Sequence, residues 1–405
     1  MIVACLFRKV GRVIPNPPFD SRASRDPRPD GALMITRPTF GFLALVAVLA
    51  TAAERDDWRT RMQPITPLGY VVRHTSTPIA VDGKPDDAAW ASAPWTTDFV
   101  DIEGDAKPKP RFRTRAKMLW DDNYFYILGE LEEPHVWATL TKHDSVIFND
   151  PDFEVFIDPD GDTHAYSEFE INALNTSWDL HLPKPYMDGG PAQNEWEIPG
   201  LKTAVSIDGT LNDPSDKDRG WTVEIAFPWS VLAEHARHPG PPNEGEQWRL
   251  NFSRVEWRIT MEGGAYQKVP ATPEDNWVWS PQGVIDMHRP EMWGLLRFTR
   301  KPASESVPVE PIAGKAAHDL ALEIYYAQRD YFAAHQRWAT TLAELGIGAE
   351  TDADPLYAPE LQSTPEGYVC TVAFKEGEGR RVWRIQQDRK LTLESVPASV
   401  AEEKK

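Results

Sequence analysis

Between residues 67 and 300, short runs of β-branched and aromatic residues alternate with clusters of turn-forming residues. Such runs are typical of β-strands, and their close spacing leaves little room for helices. The segment FRTRAKMLWDDNYFYILGEL, residues 112–131, predicts two strands around an Asp-Asp-Asn turn, and residues 166–182 predict a second hairpin. Many short strands in succession favour a mainly β fold, an immunoglobulin-like or jelly-roll β-sandwich, over a parallel α/β sheet.

The N-terminal part of the chain differs in composition from this segment. Residues 1–33 are rich in Arg and Pro, and we interpret them as an extension upstream of the natural start at Met34. Residues 34–52 combine a basic residue, a short apolar run and a small-residue cleavage pattern, which predicts a signal peptide rather than a membrane span. Residues 53–66 are interpreted as a polar linker. We therefore expect a secreted or periplasmic protein without a membrane span in its mature chain.

The C-terminal part predicts a small α+β domain at residues 316–396, after a Pro- and Ser-rich linker at residues 301–315. Apolar residues recur there at every seventh position, which predicts one long amphipathic helix that ends near Gly346. These residues are Ile324, Tyr331, Trp338 and Leu345. The strands that complete the predicted domain follow the helix, and residues 397–405 are expected to be disordered.

The charge of the chain limits its partners. The formal net charge is −19, which argues against nucleic acid because phosphate backbones need a basic surface. An acidic protein instead suits neutral or cationic ligands. Nothing in the sequence indicates an oligomeric state.

The predicted hairpin at residues 166–182 separates into an apolar and a polar face, because alternate residues of a strand point to opposite sides. The side chains assigned to the polar face are Tyr166, Glu168, Glu170, Asn172, Asp179 and His181. The preceding strand can add Glu154. Carboxylates and amides on one face suit the hydroxyl groups of sugars, although a solvated sheet face has the same pattern.

Two further uses of acidic residues remain open. Glu154, Glu168 and Glu170 are paired carboxylates of the kind that hydrolyse glycosidic bonds. A cluster of alternating acids follows the strand that carries Glu154 and could hold calcium or form a bare acidic turn. Its members are Asp158, Asp160 and Asp162.

Six segments, in order along the chain, resemble the family 9 carbohydrate-binding modules in the family 9-like branch of secreted bacterial proteins. They are IAVDGKPDDAAWASAPW, AKMLWDDNYFYILGELEEP, NDPDFEVFIDPDGD, GWTVEIAFPW, WRLNFSR and HRPEMWGLLRF. The resemblance covers somewhat over half the chain. It implies a β-sandwich with structural calcium that binds poly- or oligosaccharides and usually accompanies a glycoside hydrolase.

The resemblance also implies positions for the sugar site. The two positions of the tryptophan clamp fall on Phe148 and Met287, and the glutamate that binds sugar hydroxyls falls on Glu154. A family arginine is replaced by Glu170, and a family asparagine is retained as Asn172. The chain therefore keeps the acidic and amide groups but lacks the two-indole clamp.

The segment NWVWSPQGVIDMHRPEMWG, residues 276–294, offers a replacement for the lost clamp. Trp277 and Trp279 share one face of their strand, and we expect at least one of them to stack on sugar. Trp293 is expected to lie in the core.

Three functions are consistent with these features. The first is a secreted, non-catalytic carbohydrate-binding protein that supports carbohydrate catabolism. The second is a glycoside hydrolase that uses the carboxylates of the polar face. The third is a structural envelope protein without a ligand.

Overall fold

The computed structural model describes residues 53–348, 359–377 and 379–396. The predicted upstream extension, signal peptide and C-terminal tail therefore lie outside the described residues. The described residues contain three helices: α1 (Ala53–Asp57), which continues into a π-helical turn at Trp58–Met62, α2 (Trp229–Leu232) and α3 (Lys315–His335). None of the described helices combines the length and the apolar character that crossing a bilayer requires.

Fourteen strands occupy the segment that the sequence predicts to be a β-sandwich. They are β1 (Gly69–His74), β2 (Val100–Asp101), β3 (Thr114–Trp120), β4 (Tyr124–Glu132), β5 (Asp152–Asp158), β6 (Tyr166–Asn172), β7 (Ser177–Leu182), β8 (Lys202–Asp208), β9 (Gly220–Pro228), β10 (Gln247–Glu256), β11 (Ile259–Glu262), β12 (Ala265–Lys268), β13 (Asp275–Val278) and β14 (Gly294–Thr299). Both hairpins predicted from the sequence are present, as β3–β4 and β6–β7. Short 3₁₀ turns lie at Ala88–Ser92, Gly104–Ala106, Ile147–Asn149, Tyr186–Asp188 and Pro290–Met292.

Twelve of these strands form one curled sheet in the order β7-β6-β5-β10-β14-β1-β3-β4-β9-β8, to which β13 and β2 are added beside β10. The two ends of the sheet face each other across a single core that holds Phe153 of β5 together with Val223 of β9. Gly129 of β4 lies between them, where an added Cβ would come within 2.9 Å of Val223 and 3.1 Å of Phe153. The predicted mainly β sandwich is thus confirmed.

The segment IAVDG, residues 79–83, forms no strand although it is rich in apolar residues. Glu224 of β9 instead holds it, because the carboxylate accepts hydrogen bonds from the backbone N–H groups of Asp82 and Gly83 and from the indole N–H of Trp90, each at 2.8 Å. These hydrogen bonds hold the irregular segment against β9 and satisfy the buried carboxylate.

The C-terminal part contains a four-stranded antiparallel sheet against which α3 packs. Its strands are β15 (Pro359–Ser363), β16 (Tyr368–Glu376), β17 (Gly379–Gln386) and β18 (Leu391–Val396). The predicted helix through Leu345 is too long, because α3 ends at His335 and the next residue, Gln336, has the left-handed φ of 54°. Trp338 still packs on this core, against Phe332 and Tyr368, but from the connecting segment.

The turn between β17 and β18 touches the sandwich through a buried arginine. Arg389 is fully buried, and its guanidinium lies 3.0 Å from Glu291 and 3.1 Å from Asp188. It also donates a hydrogen bond to the carbonyl oxygen of His288. The C-terminal sheet therefore fixes two loops of the sandwich, at Tyr186–Asp188 and around residue 288.

Candidate ligand-binding site

Four acidic side chains converge on the outer face of β5 and β6. Glu154 lies directly opposite Glu170, and opposed residues of neighbouring strands share a face. Oxygen atoms of Asp152, Glu154 and Glu170 lie within 4.8 Å of one another, and Glu168 is the next residue of the same face. All four side chains are buried, with exposed fractions from 0 to 6%. The predicted carboxylate face therefore exists, but as a deep patch and not as a solvated surface.

Two groups of aromatic and apolar side chains border this patch along the strands. At one end, Phe148 packs with Trp137 and Trp257. At the other end, Trp178 and Met287 pack on a cluster that includes Phe156, Tyr166 and Trp293. Phe148, Trp178 and Met287 are each partly exposed. The two positions implied for the sugar clamp, Phe148 and Met287, therefore lie on opposite sides of the carboxylates.

The acidic side chains are only partly satisfied by hydrogen bonds. Glu170 Oε2 accepts the backbone N–H of Phe148 at 2.9 Å, and Asp152 Oδ1 accepts that of Val255 at 3.0 Å. Within the described part of the chain, Asp152 Oδ2 and Glu168 Oε2 are buried without a hydrogen-bond partner. Such groups are costly to bury, so a ligand that supplies hydrogen-bond donors would bind here favourably.

Burial controls the protonation of this patch. Burial raises the pKa of Glu154 to about 7, and burial together with the nearby Glu154 raises the pKa of Glu168 to about 8. Burial and neighbouring carboxylates also raise the pKa values of Asp152 and Glu170. Near neutral pH the patch therefore holds protons, and its carboxyl groups can both donate and accept hydrogen bonds.

Asn172 is not available to a ligand. Its Nδ2 donates to Leu140 O and Asp150 Oδ2, and its Oδ1 accepts the backbone N–H groups of Leu174 and Thr176. These four bonds use the full capacity of the amide. The predicted binding role of Asn172 is therefore corrected to a structural one, since the side chain closes the β6–β7 turn.

The predicted stacking roles of Trp277 and Trp279 are also corrected. Each tryptophan is only 2% exposed, and both belong to the core between the two halves of the sheet. Trp277 lies against Phe112, and Trp279 lies against Tyr70 and Phe252. Neither ring presents a face to a ligand. Trp293, expected in the core, is fully buried, but it lies with Phe156 and Tyr166 in the cluster beside the carboxylate patch and not between the two halves of the sheet.

The register of the β6–β7 hairpin corrects the predicted faces of β7, because Asp179 and His181 were assigned to the polar face. Trp178 lies opposite Glu170, so its side chain belongs to the carboxylate face, whereas Asp179 and His181 face the other way. The connection is a three-residue loop with Asn175 in the left-handed region, at φ 59°. A two-residue turn would shift the pairing by one residue, and such a shift exchanges the faces.

The acidic turn after β5 brings its three carboxylates together, with oxygen atoms within 4.8 Å of one another. Both oxygens of Asp158 accept backbone N–H groups from within the turn. Asp162 pairs with Lys390 at 3.1 Å, and Arg237 donates a hydrogen bond to the backbone carbonyl of Asp160. The carboxylates suit calcium, but basic residues already offset part of their charge, so calcium at this turn stays a prediction.

One outer face of the β-sandwich thus carries a buried polar patch that is bordered by aromatic side chains. Residues 81–240 match the family model described as "Carbohydrate family 9 binding domain-like". The resemblance to family 9 carbohydrate-binding modules is thereby confirmed for this region.

Two curated relatives share part of this region. Endo-1,4-beta-xylanase C of Paenibacillus barcinonensis is 33% identical over 106 residues, which are 25% of this chain and 9% of that protein. Exoglucanase XynX of Acetivibrio thermocellus is 27% identical over 156 residues, which are 38% of this chain and 12% of that protein. The match thus spans about a tenth of the length of each relative.

The solved structures that match this chain include a carbohydrate-binding module family 9 of Caldicellulosiruptor kristjanssonii in complex with cellotriose. It is 16% identical, with a TM-score of 0.39, and the match covers 60% of this chain and 100% of that chain. A putative carbohydrate-binding protein from Bacteroides uniformis ATCC 8492 is 18% identical, with a TM-score of 0.43, over 57% of this chain and 100% of that chain.

Proposed function

We propose that residues 67–300 form a secreted carbohydrate-binding module that holds a poly- or oligosaccharide against the carboxylate face. The observation that carries this proposal is the Glu154–Glu170 pair, which lies between the partly exposed side chains of Phe148 and Met287. The family match supports it. Such a module would support carbohydrate catabolism outside the cytoplasm.

The chemistry of the patch suits sugar hydroxyls. A sugar hydroxyl donates one hydrogen bond and accepts others, and partly protonated carboxyl groups can serve as partners for both. Trp178, beside Glu170, supplies the aromatic face that Phe148 and Met287 provide less well, since an indole contact contributes about 1 kcal/mol beyond area burial. We therefore assign the polar contacts to Glu154 and Glu170 and the stacking contacts to Phe148 and Trp178.

The relatives suggest which sugars to test first. Modules with a similar fold were solved with cellotriose and with glucose, and the curated relatives are named as a xylanase and an exoglucanase. Isothermal titration calorimetry with cello- and xylo-oligosaccharides, and affinity gels with the corresponding polysaccharides, would cover these classes. Binding of at least one β-linked glycan at micromolar to millimolar affinity is the expected result.

Variants of the patch test its role. Glu154→Gln and Trp178→Ala should each weaken binding at least 5-fold, because one removes a hydrogen-bond acceptor and the other a stacking face, each worth about 1 kcal/mol. Glu262→Gln and Met261→Ala are matched controls on the exposed strand β11 and should bind as the wild type does. Equal affinities in all five proteins would place the site elsewhere.

Glycoside hydrolysis is a second candidate, favoured by the raised pKa of Glu168, because a general acid must hold its proton near neutral pH. Release of reducing sugar from xylan or cellulose would be the signal. It should be lost in Glu168→Gln while glycan binding remains. Binding without any release by the wild type would reject the hydrolase and leave the binding module.

A further inference from the structure

A second group of metal-binding side chains lies at the edge strand β7, on the face opposite the carboxylate patch. His143 and Asp144 come from the loop before β5, Asp179 comes from β7, and Glu197 comes from the loop that follows. None of these residues is needed for the proposed sugar site.

The hydrogen bond from Nδ1 of His143 determines which ring nitrogen can bind a metal ion, although Nε2 also lies within hydrogen-bond distance of Glu197. Nδ1 lies 2.9 Å from the backbone carbonyl oxygen of Ser177, and because a carbonyl oxygen can only accept, Nδ1 carries the proton. The other nitrogen, Nε2, faces three carboxylates. It lies 3.3 Å from Asp144 Oδ1, 3.5 Å from Asp179 Oδ1 and 3.3 Å from Glu197 Oε2. A histidine held through Nδ1 by a backbone carbonyl is the usual arrangement for metal ligation through Nε2.

Asp179 gives an independent indication of a ligand. The residue is only 2% exposed, and its Oδ2 accepts the backbone N–H of Ile198 at 2.8 Å. Its Oδ1 points toward His143 Nε2 but has no hydrogen-bond partner in the described part of the chain. A buried carboxylate oxygen left unpaired is costly, and a cation between Oδ1 and Nε2 would remove that cost.

We propose that His143, Asp179 and Glu197 bind a divalent transition-metal ion such as Zn²⁺, with Asp144 as an additional ligand. Zinc bonds to nitrogen and oxygen of about 2.0–2.1 Å place the ligand atoms of a tetrahedral site roughly 3.3–3.4 Å apart, which matches the measured separations from Nε2. The imidazole ligand favours zinc over calcium, which takes oxygen ligands. The side chains of His143 and Glu197 are 46% and 59% exposed, so the ion can enter from solvent.

The alternative is a protonated His143 that forms ion pairs with the same carboxylates and needs no metal. Titration calorimetry with Zn²⁺ alone distinguishes the two. The protein should be the full mature chain, purified without a polyhistidine tag and treated with a chelator. The wild type should bind one equivalent of Zn²⁺ at this site. His143→Ala and Glu197→Gln should each bind that equivalent at least 10-fold more weakly. Both variants change exposed side chains, so they should fold normally, which circular dichroism would verify.

His335→Ala is the matched control, because His335 is exposed at the end of α3 and should bind zinc as the wild type does. Co²⁺ in place of Zn²⁺ should give the intense visible absorption of a tetrahedral site in the wild type and not in His143→Ala. The proposal would be overturned if the wild type took up no zinc, or if His143→Ala took up as much zinc as the wild type. Because no sugar is present, neither outcome depends on the proposed carbohydrate binding.

Discussion

At the scale of single residues, the most consequential feature is burial of charge on the outer face of β5 and β6. The alternation of side-chain direction along β6 was enough to place Glu168 and Glu170 on one face. It could not show that the face is buried, because the side chains that border it, such as Phe148 and Met287, come from other segments of the chain. The sequence therefore predicted Glu154, Glu168 and Glu170 as members of the patch, but neither the fourth member, Asp152, nor the raised pKa values.

This burial predicts a dependence of stability on pH. Glu154 and Glu168 keep their protons in the folded protein up to pH values of about 7 and 8, whereas the unfolded chain releases them near pH 4.5. Because the folded state binds more protons in this range, stability is greatest below the unfolded pKa and decreases as pH rises through about 7 to 8. Each unit by which a pKa is raised corresponds to about 1.4 kcal/mol, so the two groups together should lower the stability by several kcal/mol.

Thermal unfolding of the wild type and of the double variant Glu154→Gln/Glu168→Gln at a series of pH values would measure this loss. The melting temperature of the wild type should decrease between pH 5 and pH 8, and the double variant should show a smaller decrease. Parallel curves for the two proteins would mean that these carboxyl groups titrate normally.

At the scale of elements, local backbone conformation explains why the predicted register of the β6–β7 hairpin and the predicted end of α3 were wrong. The hairpin register depends on Asn175, and the end of α3 depends on Gln336, both with left-handed φ angles. Hydrophobic spacing continued past Gln336 to Trp338, because Trp338 packs on the same core without being helical. A seven-residue repeat reports which side chains are buried, but not whether the backbone between them stays helical.

The left-handed conformation of Gln336 predicts that glycine is favoured there. Gln336→Gly should raise the unfolding free energy by about 0.5–1 kcal/mol, because glycine adopts a positive φ without steric cost. Gln336→Ala should not raise the unfolding free energy, because alanine also lacks the polar side chain but keeps the strain of a positive φ. Denaturant unfolding of both variants would check this, and equal effects would show that the side-chain contacts of Gln336 decide the stability.

At the scale of the whole molecule, the C-terminal sheet and the sandwich share buried contacts. One apolar cluster combines Trp58 and Met62 near the start of the described chain, Met292 before β14, and Tyr325 of α3. Arg389 adds ion pairs to Asp188 and Glu291, the latter 98 residues away in sequence. Strand patterns predict each sheet separately, but no local pattern connects residues so far apart.

The buried arginine predicts a large loss of stability on substitution. Arg389→Ala leaves Asp188 and Glu291 without their buried partner and should cost about 3–5 kcal/mol. Arg380→Ala, on an exposed position of β17, is the control and should cost little. Thermal melts of both variants would measure the difference, and equal melting temperatures would show that the C-terminal sheet does not stabilise the sandwich.

The central claim, that the carboxylate face between Phe148 and Met287 binds sugar, is tested most directly by a crystal structure of the protein with cellotriose or another glycan that it binds. The account predicts a sugar ring within hydrogen-bond distance of Glu154 or Glu170 and in contact with the ring of Phe148 or Trp178. A glycan bound on a different face of the sandwich, with no sugar at this patch, would contradict it.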